Sequence, residues 1–297
     1  MSRRVALFLA PAVLAGALSG CSSQASSGKL QIAAGFYPLQ YAAQRVGGDL
    51  VDVSNLTQPG AEPHDLELSF KETSEVADAD LVVFEKGLQP AVDEAVTNTA
   101  SGATLDAASV VRLEPFTAGD TMEHEGDLDP HFWQDPLRMA DLGDAIAAQL
   151  GDLDPDHAAD YTANAAALRQ DLEALDQEYA DGLRSCERST IVVSHDAFGY
   201  LAKYGLTMAP IAGLSPGAEP TPADLAHLQD LIRSDGITTV FGERLAPKEL
   251  SQSLADDMGV TTAVLDPIEG LTGETADQDY VSLMQSNLTA LEKANAC

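Results

Sequence analysis

The sequence predicts an α/β protein with two lobes, each built on a parallel sheet and joined by a long helix. Its 297 residues exceed one typical domain. Strand-like apolar runs alternate with helix-like stretches in both halves, a pattern typical of βαβ units. Between the halves lies a segment rich in Ala, Leu, Glu and Gln. Its apolar residues recur at intervals of three and four, which is the spacing of an amphipathic helix.

The N-terminal lobe is expected over residues 29–150 and the C-terminal lobe over residues 185–297. The strands predicted for the first lobe are 30–34, 51–57 and 81–84, with helices at 37–46, 71–77 and 90–98. The strands predicted for the second lobe are 190–193, 208–211, 238–241 and 263–265, with helices at 197–204, 222–234, 247–258 and 280–294. The joining helix is expected over residues 151–184, with Asp154 as its N-cap and Pro155 in its first turn.

The first 20 residues have the features of a secretory signal. Arg3 and Arg4 precede an apolar stretch over residues 5–18, which is too short to span a bilayer comfortably. The stretch ends in Leu-Ser-Gly-Cys21, which resembles the bacterial lipobox and implies lipidation of Cys21. Residues 21–28 then form a polar, flexible, lipidated tether. We therefore expect an exported protein, anchored by lipid to the outer face of the cytoplasmic membrane. An ordinary signal beside a chance cysteine is the alternative.

Two further cysteines, Cys186 and Cys297, form an even pair. In an exported chain such a pair suggests one disulfide, with free thiols as the alternative. The formal net charge of −31 argues against a nucleic-acid partner, because phosphate binding needs a basic face. A negative field concentrates cations, but an acidic surface also simply provides solubility. Charge by itself therefore does not indicate a metal.

Four side chains with metal-binding chemistry stand at strand ends or in stiff loops. His64 and His131 lie in proline-containing loops, whereas His195 and Asp266 each follow an apolar strand directly. In parallel α/β sheets ligands bind beyond the carboxyl ends of the strands, so these four are expected to converge on one cleft between the lobes. Three imidazoles and a carboxylate suit tetrahedral Zn²⁺ better than Mn²⁺ or Ca²⁺, which prefer oxygen ligands.

Two further residues are candidates for an accessory role. Glu243 is either a partner of the ligands or an alternative oxygen ligand. His124 lies in a short acidic loop at residues 120–127, which either recruits cations weakly or is an ordinary surface loop.

Taken together, the segments resemble the zinc/manganese class of substrate-binding proteins of ABC importers, and most closely its zinc-uptake members. The resemblance covers nearly all of the chain after the tether. The segments that carry it are GAEPHDLELS at 60–69, DPHFWQDP at 129–136, VSHDAFGYLAKYGL at 193–206, FGERLAPK at 241–248 and LDP at 265–267. It implies two lobes bridged by a rigid helix and a metal in the cleft.

The resemblance also assigns the ligands. They fall on His64, His131, His195 and Asp266. Zinc members tend to have His at the third position and manganese members Glu, so His195 favours zinc. Zinc members often carry a long His-rich loop before DPHFW. Here only His124 stands there, so strong scavenging by that loop is not expected.

We therefore expect a monomeric binding protein, not an enzyme, that captures Zn²⁺ and delivers it to an ABC permease and its ATPase. A manganese-binding homologue and a surface adhesin are alternatives. A zinc hydrolase with Glu243 or Glu62 as general base is a weaker one. Neither an HExxH nor an HxH pair occurs in the sequence.

Overall fold

Two four-stranded parallel sheets form the centres of two lobes in the computed structural model. The structure describes residues 28–116, 128–213 and 216–297. The predicted signal, Cys21 and His124 lie outside the described residues. Since each sheet is parallel and a long helix stands between the lobes in sequence, the predicted fold class is confirmed.

The first lobe places its strands in the order β2-β1-β3-β4. Its elements are β1 (Leu30–Ala34), α1 (Tyr37–Gly47), β2 (Val51–Asn55), α2 (Phe70–Asp78), β3 (Leu81–Phe84), α3 (Pro90–Thr99), β4 (Ala103–Asp106) and α4 (Ala107–Val110). β4 was not predicted, because its four residues include only one buried apolar side chain, Leu105. A short antiparallel pair, β5 (Glu114–Pro115) and β6 (Leu128–Asp129), follows.

Two long helices, α5 (Pro136–Leu153) and α6 (Ala158–Gly182), pack against each other and lead to the second lobe. The apolar residues of α6 that recur at three and four are buried, as their spacing requires. Leu168 packs closely over α5, where a side chain at Gly143 would meet it at 3.0 Å. The chain between the helices forms a 3₁₀ turn, and the Asp154 carboxylate binds His157 and Tyr161 instead of capping backbone N–H groups.

The second lobe places its strands in the order β10-β9-β7-β8. Its elements are β7 (Thr190–Val193), β8 (Thr207–Pro210), α7 (Pro222–Ser234), β9 (Thr239–Gly242), α8 (Glu249–Met258), β10 (Thr261–Val264) and α9 (Tyr280–Asn295). The helix predicted at 197–204 is a 3₁₀ helix over Gly199–Tyr204.

The disulfide predicted between Cys186 and Cys297 is confirmed. It fastens the chain end after α9 to the segment that enters β7.

One continuous cluster of buried apolar side chains runs from the first lobe through α5 and α6 into the second. Tyr179 of α6, fully buried, donates a hydrogen bond of 2.6 Å to the Met284 carbonyl of α9. The two lobes therefore share one hydrophobic core. Within the described ranges, no helix is both long enough and apolar enough to cross a membrane.

Candidate metal centre

Four side chains able to hold a metal ion lie close together: His64, His131, His195 and Glu269. One donor atom from each lies within 4.8 Å of the donors of the other three. His131, His195 and Glu269 are buried, and His64 is nearly so. His64 and His131 come from the part of the chain before α6, whereas His195 and Glu269 come from the second lobe. A metal held here would join the lobes.

The loop after β2 carries His64. Gln89, at the start of α3, donates from its amide to the Pro63 carbonyl at 3.3 Å and to the Thr57 hydroxyl at 2.9 Å. The backbone N–H of His64 donates to the Glu62 carboxylate at 3.1 Å. These bonds fix the loop against the first lobe, and His64 Nε2 lies 3.3 Å from Glu269 Oε1.

His131 is the N-cap residue of the 3₁₀ turn Phe132–Gln134, which precedes α5. One oxygen of Asp129 accepts both its backbone N–H at 2.9 Å and its ring Nδ1–H at 2.8 Å. A carboxylate that accepts from Nδ1 fixes the tautomer of the ring and leaves Nε2 as the donor atom for a metal.

His195 follows β7 after Ser194 and is held in the same way. Glu243, which follows the neighbouring strand β9, accepts a hydrogen bond from Nδ1 of His195 at 2.6 Å and one from the Ser194 hydroxyl. The predicted accessory residue Glu243 therefore contacts the ring of His195 and lies outside the donor group found among the described residues. Each lobe thus supplies one carboxylate that orients an imidazole.

The loop after β10 carries Glu269. The Pro267 carbonyl of this loop accepts hydrogen bonds from the Trp133 indole at 2.7 Å and from the Gln134 amide at 2.6 Å. Ile268 is buried and has a φ of 62°, a left-handed conformation that is uncommon for a β-branched residue. This turn directs Glu269 towards the histidines.

Asp266, predicted from the sequence as the fourth ligand, lies outside the donor group found among the described residues. Its Oδ1 accepts the backbone N–H of Ile268 at 2.8 Å, and its Oδ2 lies 3.0 Å from Arg244 Nε. Both carboxylate oxygens are therefore already engaged. Glu269, three residues later in the same loop, stands where Asp266 was expected, because the turn at Ile268 reverses which acid faces the cleft.

The electrostatics of the site follow from burial and from these carboxylates. Burial by itself lowers the pKa of His195, but Glu243 and Glu269 raise it to about 10. Burial also lowers the pKa of His64, but Glu269 raises it by more, so that the net shift is upward. For His131 burial prevails over Asp129 and lowers the pKa. Burial raises the pKa of Glu269, but the nearby imidazoles of His195 and His64 outweigh it and hold this pKa well below the usual range.

The arrangement fits a divalent ion of borderline softness. Nε2 of His131 and Nε2 of His195 are buried and have no hydrogen-bond partner in the described part of the chain. Both point at Glu269 Oε1, at 3.6 and 3.5 Å. With His64 Nε2, they give three imidazole nitrogen atoms beside one carboxylate oxygen, a donor set that suits Zn²⁺.

A family model described as zinc-uptake complex component A, periplasmic (ZnuA), matches residues 32–294. The chain belongs to this family. Among curated relatives of this ZnuA-family chain, the zinc-binding lipoprotein AdcA of Streptococcus pneumoniae (strain TIGR4) is 36% identical over 98% of the chain. The chain spans only 61% of the length of that relative. The high-affinity zinc uptake system protein ZnuA of Bacillus subtilis is 32% identical, and the match covers 97% of this chain and 94% of the relative.

Solved structures give the same family. The Zn(II)-bound ZnuA-like domain of Streptococcus pneumoniae AdcA has a TM-score of 0.77 and 35% identity, covering 91% of this chain and all of that domain. The laminin-binding protein Lmb of Streptococcus agalactiae, described as having adhesin and metal-transporting activity, has a TM-score of 0.80 and 29% identity. That match covers 89% of this chain and 99% of Lmb.

The sequence analysis singled out the three histidines but not Glu269. A signal for it was present, since Asp-Pro-Ile-Glu-Gly at 266–270 places two acids in one loop directly after a strand. A strand-end rule favours the first of them, and only the path of the turn decides between the two. Asp129 was likewise not recognised as the partner of His131, although it stands two residues before it.

Proposed function

We propose that this chain is an extracytoplasmic protein that captures Zn²⁺ between its two lobes and delivers it to an ABC importer. The observation that carries the proposal is the buried donor group of three imidazoles and one carboxylate, two donors from each side of α6. Membership of the ZnuA family and the names of its zinc-binding relatives support the same cargo.

The ligands we propose are His64, His131, His195 and Glu269. Four protein ligands complete the tetrahedral coordination of Zn²⁺, whereas catalytic zinc sites keep one position for water. The donor set thus favours a binding protein over a hydrolase. The predominance of imidazole favours Zn²⁺ over Mn²⁺, which prefers carboxylate, carbonyl and water oxygens.

Capture and release follow from the division of the ligands between the lobes. A cation bound by both pairs stabilises the closed arrangement, in which the Gly60 N–H donates to the Leu271 carbonyl across the cleft at 2.8 Å. Separation of the lobes would take two ligands away from the ion and lower its affinity. An ABC permease and its ATPase are the partners that would drive this separation.

The proposal includes export of the chain and its attachment to the membrane by a lipid. The signal at 1–20, the tether at 21–28 with lipidated Cys21, the lobes at 29–150 and 185–297 and the linker helix at 151–184 are all part of this proposal. Its relative AdcA is named as a lipoprotein, which supports the anchor.

The test is metal content and zinc affinity of the purified chain, with single substitutions at His131 and Glu269. We expect one tightly bound Zn²⁺ per chain, and a loss of affinity of about 100-fold or more in His131→Ala and in Glu269→Ala, since each leaves buried groups and the ion without a ligand. His227→Ala is the matched control, because His227 is exposed on α7. Unchanged zinc affinity in His131→Ala would contradict the proposal.

Delivery is tested in cells. A strain lacking this chain should grow poorly when zinc is limiting, and the wild-type gene should restore growth while His131→Ala should not. Restoration by His131→Ala would separate the cellular role from the metal site.

A further inference from the structure

The loop after β10 carries two carboxylates, and only one of them belongs to the donor group. Glu269 lies with the three histidines, whereas Asp266 does not. Both acids are buried, at 1% and 5% exposure. A second buried carboxylate beside a cation site needs a partner that keeps it there, because a buried charge without compensation is costly.

Arg244 is that partner. Its Nε lies 3.0 Å from Asp266 Oδ2 as an ion pair, and its Nη1 donates to Glu274 at 3.1 Å. Arg244 directly follows Glu243, which orients His195. One side chain thus connects the loop that orients a metal-binding ring with the loop that carries Glu269.

Asp266 is close to the donor group in electrostatic terms. After burial, which is the largest influence, the charges of Arg244, Glu243 and Glu269 all act on its carboxyl. Its backbone is held in place by Asn287, which accepts from the Asp266 N–H at 2.9 Å and donates to its carbonyl at 2.6 Å. With the backbone held, the carboxylate can move only by rotation of the side chain, which exchanges the hydrogen bond from the Ile268 N–H for another partner.

We propose that Arg244 determines the metal selectivity of the site by holding Asp266 out of the coordination sphere. The ion pair limits a bound ion to three imidazoles and one carboxylate, a set that suits zinc. Without Arg244, the Asp266 carboxylate loses its ion-pair partner, and a bound metal would attract it towards the donor group. A fifth, oxygen donor favours ions that accept higher coordination numbers and oxygen ligands, such as Mn²⁺. The inference rests on the proposed metal-binding function.

A merely structural role for Arg244 has a different consequence. If the ion pair only braced the loop, its loss would displace Glu269 and weaken Zn²⁺ and Mn²⁺ binding alike. The ratio of the two dissociation constants therefore separates selectivity from bracing.

The experiment measures Zn²⁺ and Mn²⁺ dissociation constants by competition with a chromophoric chelator. The variants are Arg244→Met, Asp266→Asn and the double variant. We expect the ratio Kd(Mn)/Kd(Zn) to fall by about tenfold or more in Arg244→Met, because an oxygen donor is added. It should return to the wild-type ratio in the double variant and stay unchanged in Asp266→Asn alone. Arg233→Met, which removes an exposed cation on α7, is the matched control.

Two further variants and one spectroscopic measurement keep the test decisive. Arg244→Gln replaces the charge by a neutral donor and serves if the methionine variant fails to fold. In Arg244→Lys the ratio Kd(Mn)/Kd(Zn) should stay close to the wild-type value, because lysine retains the positive charge. The visible spectrum of bound Co²⁺ reports coordination number, since tetrahedral Co²⁺ absorbs more strongly than five- or six-coordinate Co²⁺. We expect weaker absorption in Arg244→Met and in Arg244→Gln than in the wild type.

An unchanged ratio in both Arg244→Met and Arg244→Gln would overturn the inference. So would a changed ratio that persists in the double variant, or a large loss of zinc affinity in Asp266→Asn, which would make Asp266 itself a ligand. If the wild-type chain binds zinc through His131 while the ratio stays unchanged, only the selectivity inference fails. If the wild type binds no zinc, the proposed function fails with it.

Discussion

The pairing of Glu243 with His195 makes a specific prediction about how zinc affinity depends on pH. Glu243 Oε1 accepts from His195 Nδ1 at 2.6 Å, and the carboxylate is 3% exposed. Glutamine has the same shape and still offers an oxygen to the ring, so Glu243→Gln removes the charge while it preserves the hydrogen bond. The substitution therefore isolates the electrostatic contribution of one carboxylate.

The size of the effect follows from the pKa of His195. Burial lowers this pKa, but Glu243 and Glu269 raise it to about 10, so a proton competes with the metal for the ring throughout the neutral range. That competition costs about 1.4 kcal/mol for each pH unit below the pKa, or about 4 kcal/mol at pH 7. In Glu243→Gln the pKa of His195 falls, so protons stop competing with the metal at a lower pH. The bound ring also loses its anionic partner, which weakens binding about 10- to 100-fold where protons do not compete.

Near pH 7 the weaker proton competition in Glu243→Gln offsets the loss of the anionic partner. At higher pH protons no longer compete, and only the loss of the partner remains. Zinc affinity of the wild type should rise about tenfold per pH unit from pH 6.5 to pH 9, because each unit removes one unit of proton competition. The affinity of Glu243→Gln should level off within this range. The zinc dissociation constant of Glu243→Gln divided by that of the wild type should therefore grow by about tenfold or more from pH 6.5 to pH 9.

Competition with a chelator in zinc-buffered solutions at constant ionic strength measures both curves. Calorimetry in buffers of different ionisation enthalpy gives the protons released, and the wild type should release more per zinc than Glu243→Gln at pH 8. Glu173→Gln is the control, since it removes one exposed carboxylate from α6. A ratio that is constant across the pH range would refute the idea that the charge of Glu243 raises the pKa of His195.

Three further predictions concern stability. Glu85 is buried with both carboxylate oxygens lacking hydrogen-bond partners among the described residues, and burial, then the charge of Asp129, raises its pKa well above the usual range. Its contribution to folding therefore declines as pH rises above about 4.3, by about 1.4 kcal/mol per unit up to the folded-state pKa. Glu85→Gln should raise the denaturation midpoint at pH 7 and change it little at pH 4; equal midpoints at pH 7 would contradict this. Replacing Cys186 and Cys297 by serine opens a loop with a sequence separation of 111 residues, which should lower the free energy of unfolding by about 2–5 kcal/mol in urea titrations. Leu168→Ala should cost about 2–5 kcal/mol, because the side chain is fully buried against α5, whereas a cost below about 1 kcal/mol would mean that α6 does not share the core.

Much of the fold was predictable because its signals are local. Buried strands such as β3 (Leu81–Phe84) and β7 (Thr190–Val193) are continuous apolar runs, and their bounds agree with the prediction to the residue. The long helix repeats its apolar residues at helical spacing, so α6 (Ala158–Gly182) lies inside the segment predicted for it. β4 has no such run and was missed, and the stretch at 197–204 winds as a 3₁₀ helix from Gly199.

The sequence by itself determined the fold class, because strand-like and helix-like segments alternate along it. It also singled out three histidines, which stand at a strand end or in proline-fixed loops, and an even pair of cysteines. Only the tertiary structure decided which carboxylate faces the histidines. Asp266 and Glu269 are three residues apart, and the left-handed turn at Ile268 together with the Arg244 ion pair assigns one to the donor group and the other away from it. Contacts of this kind join residues that are distant in sequence, so no local pattern along the chain encodes them.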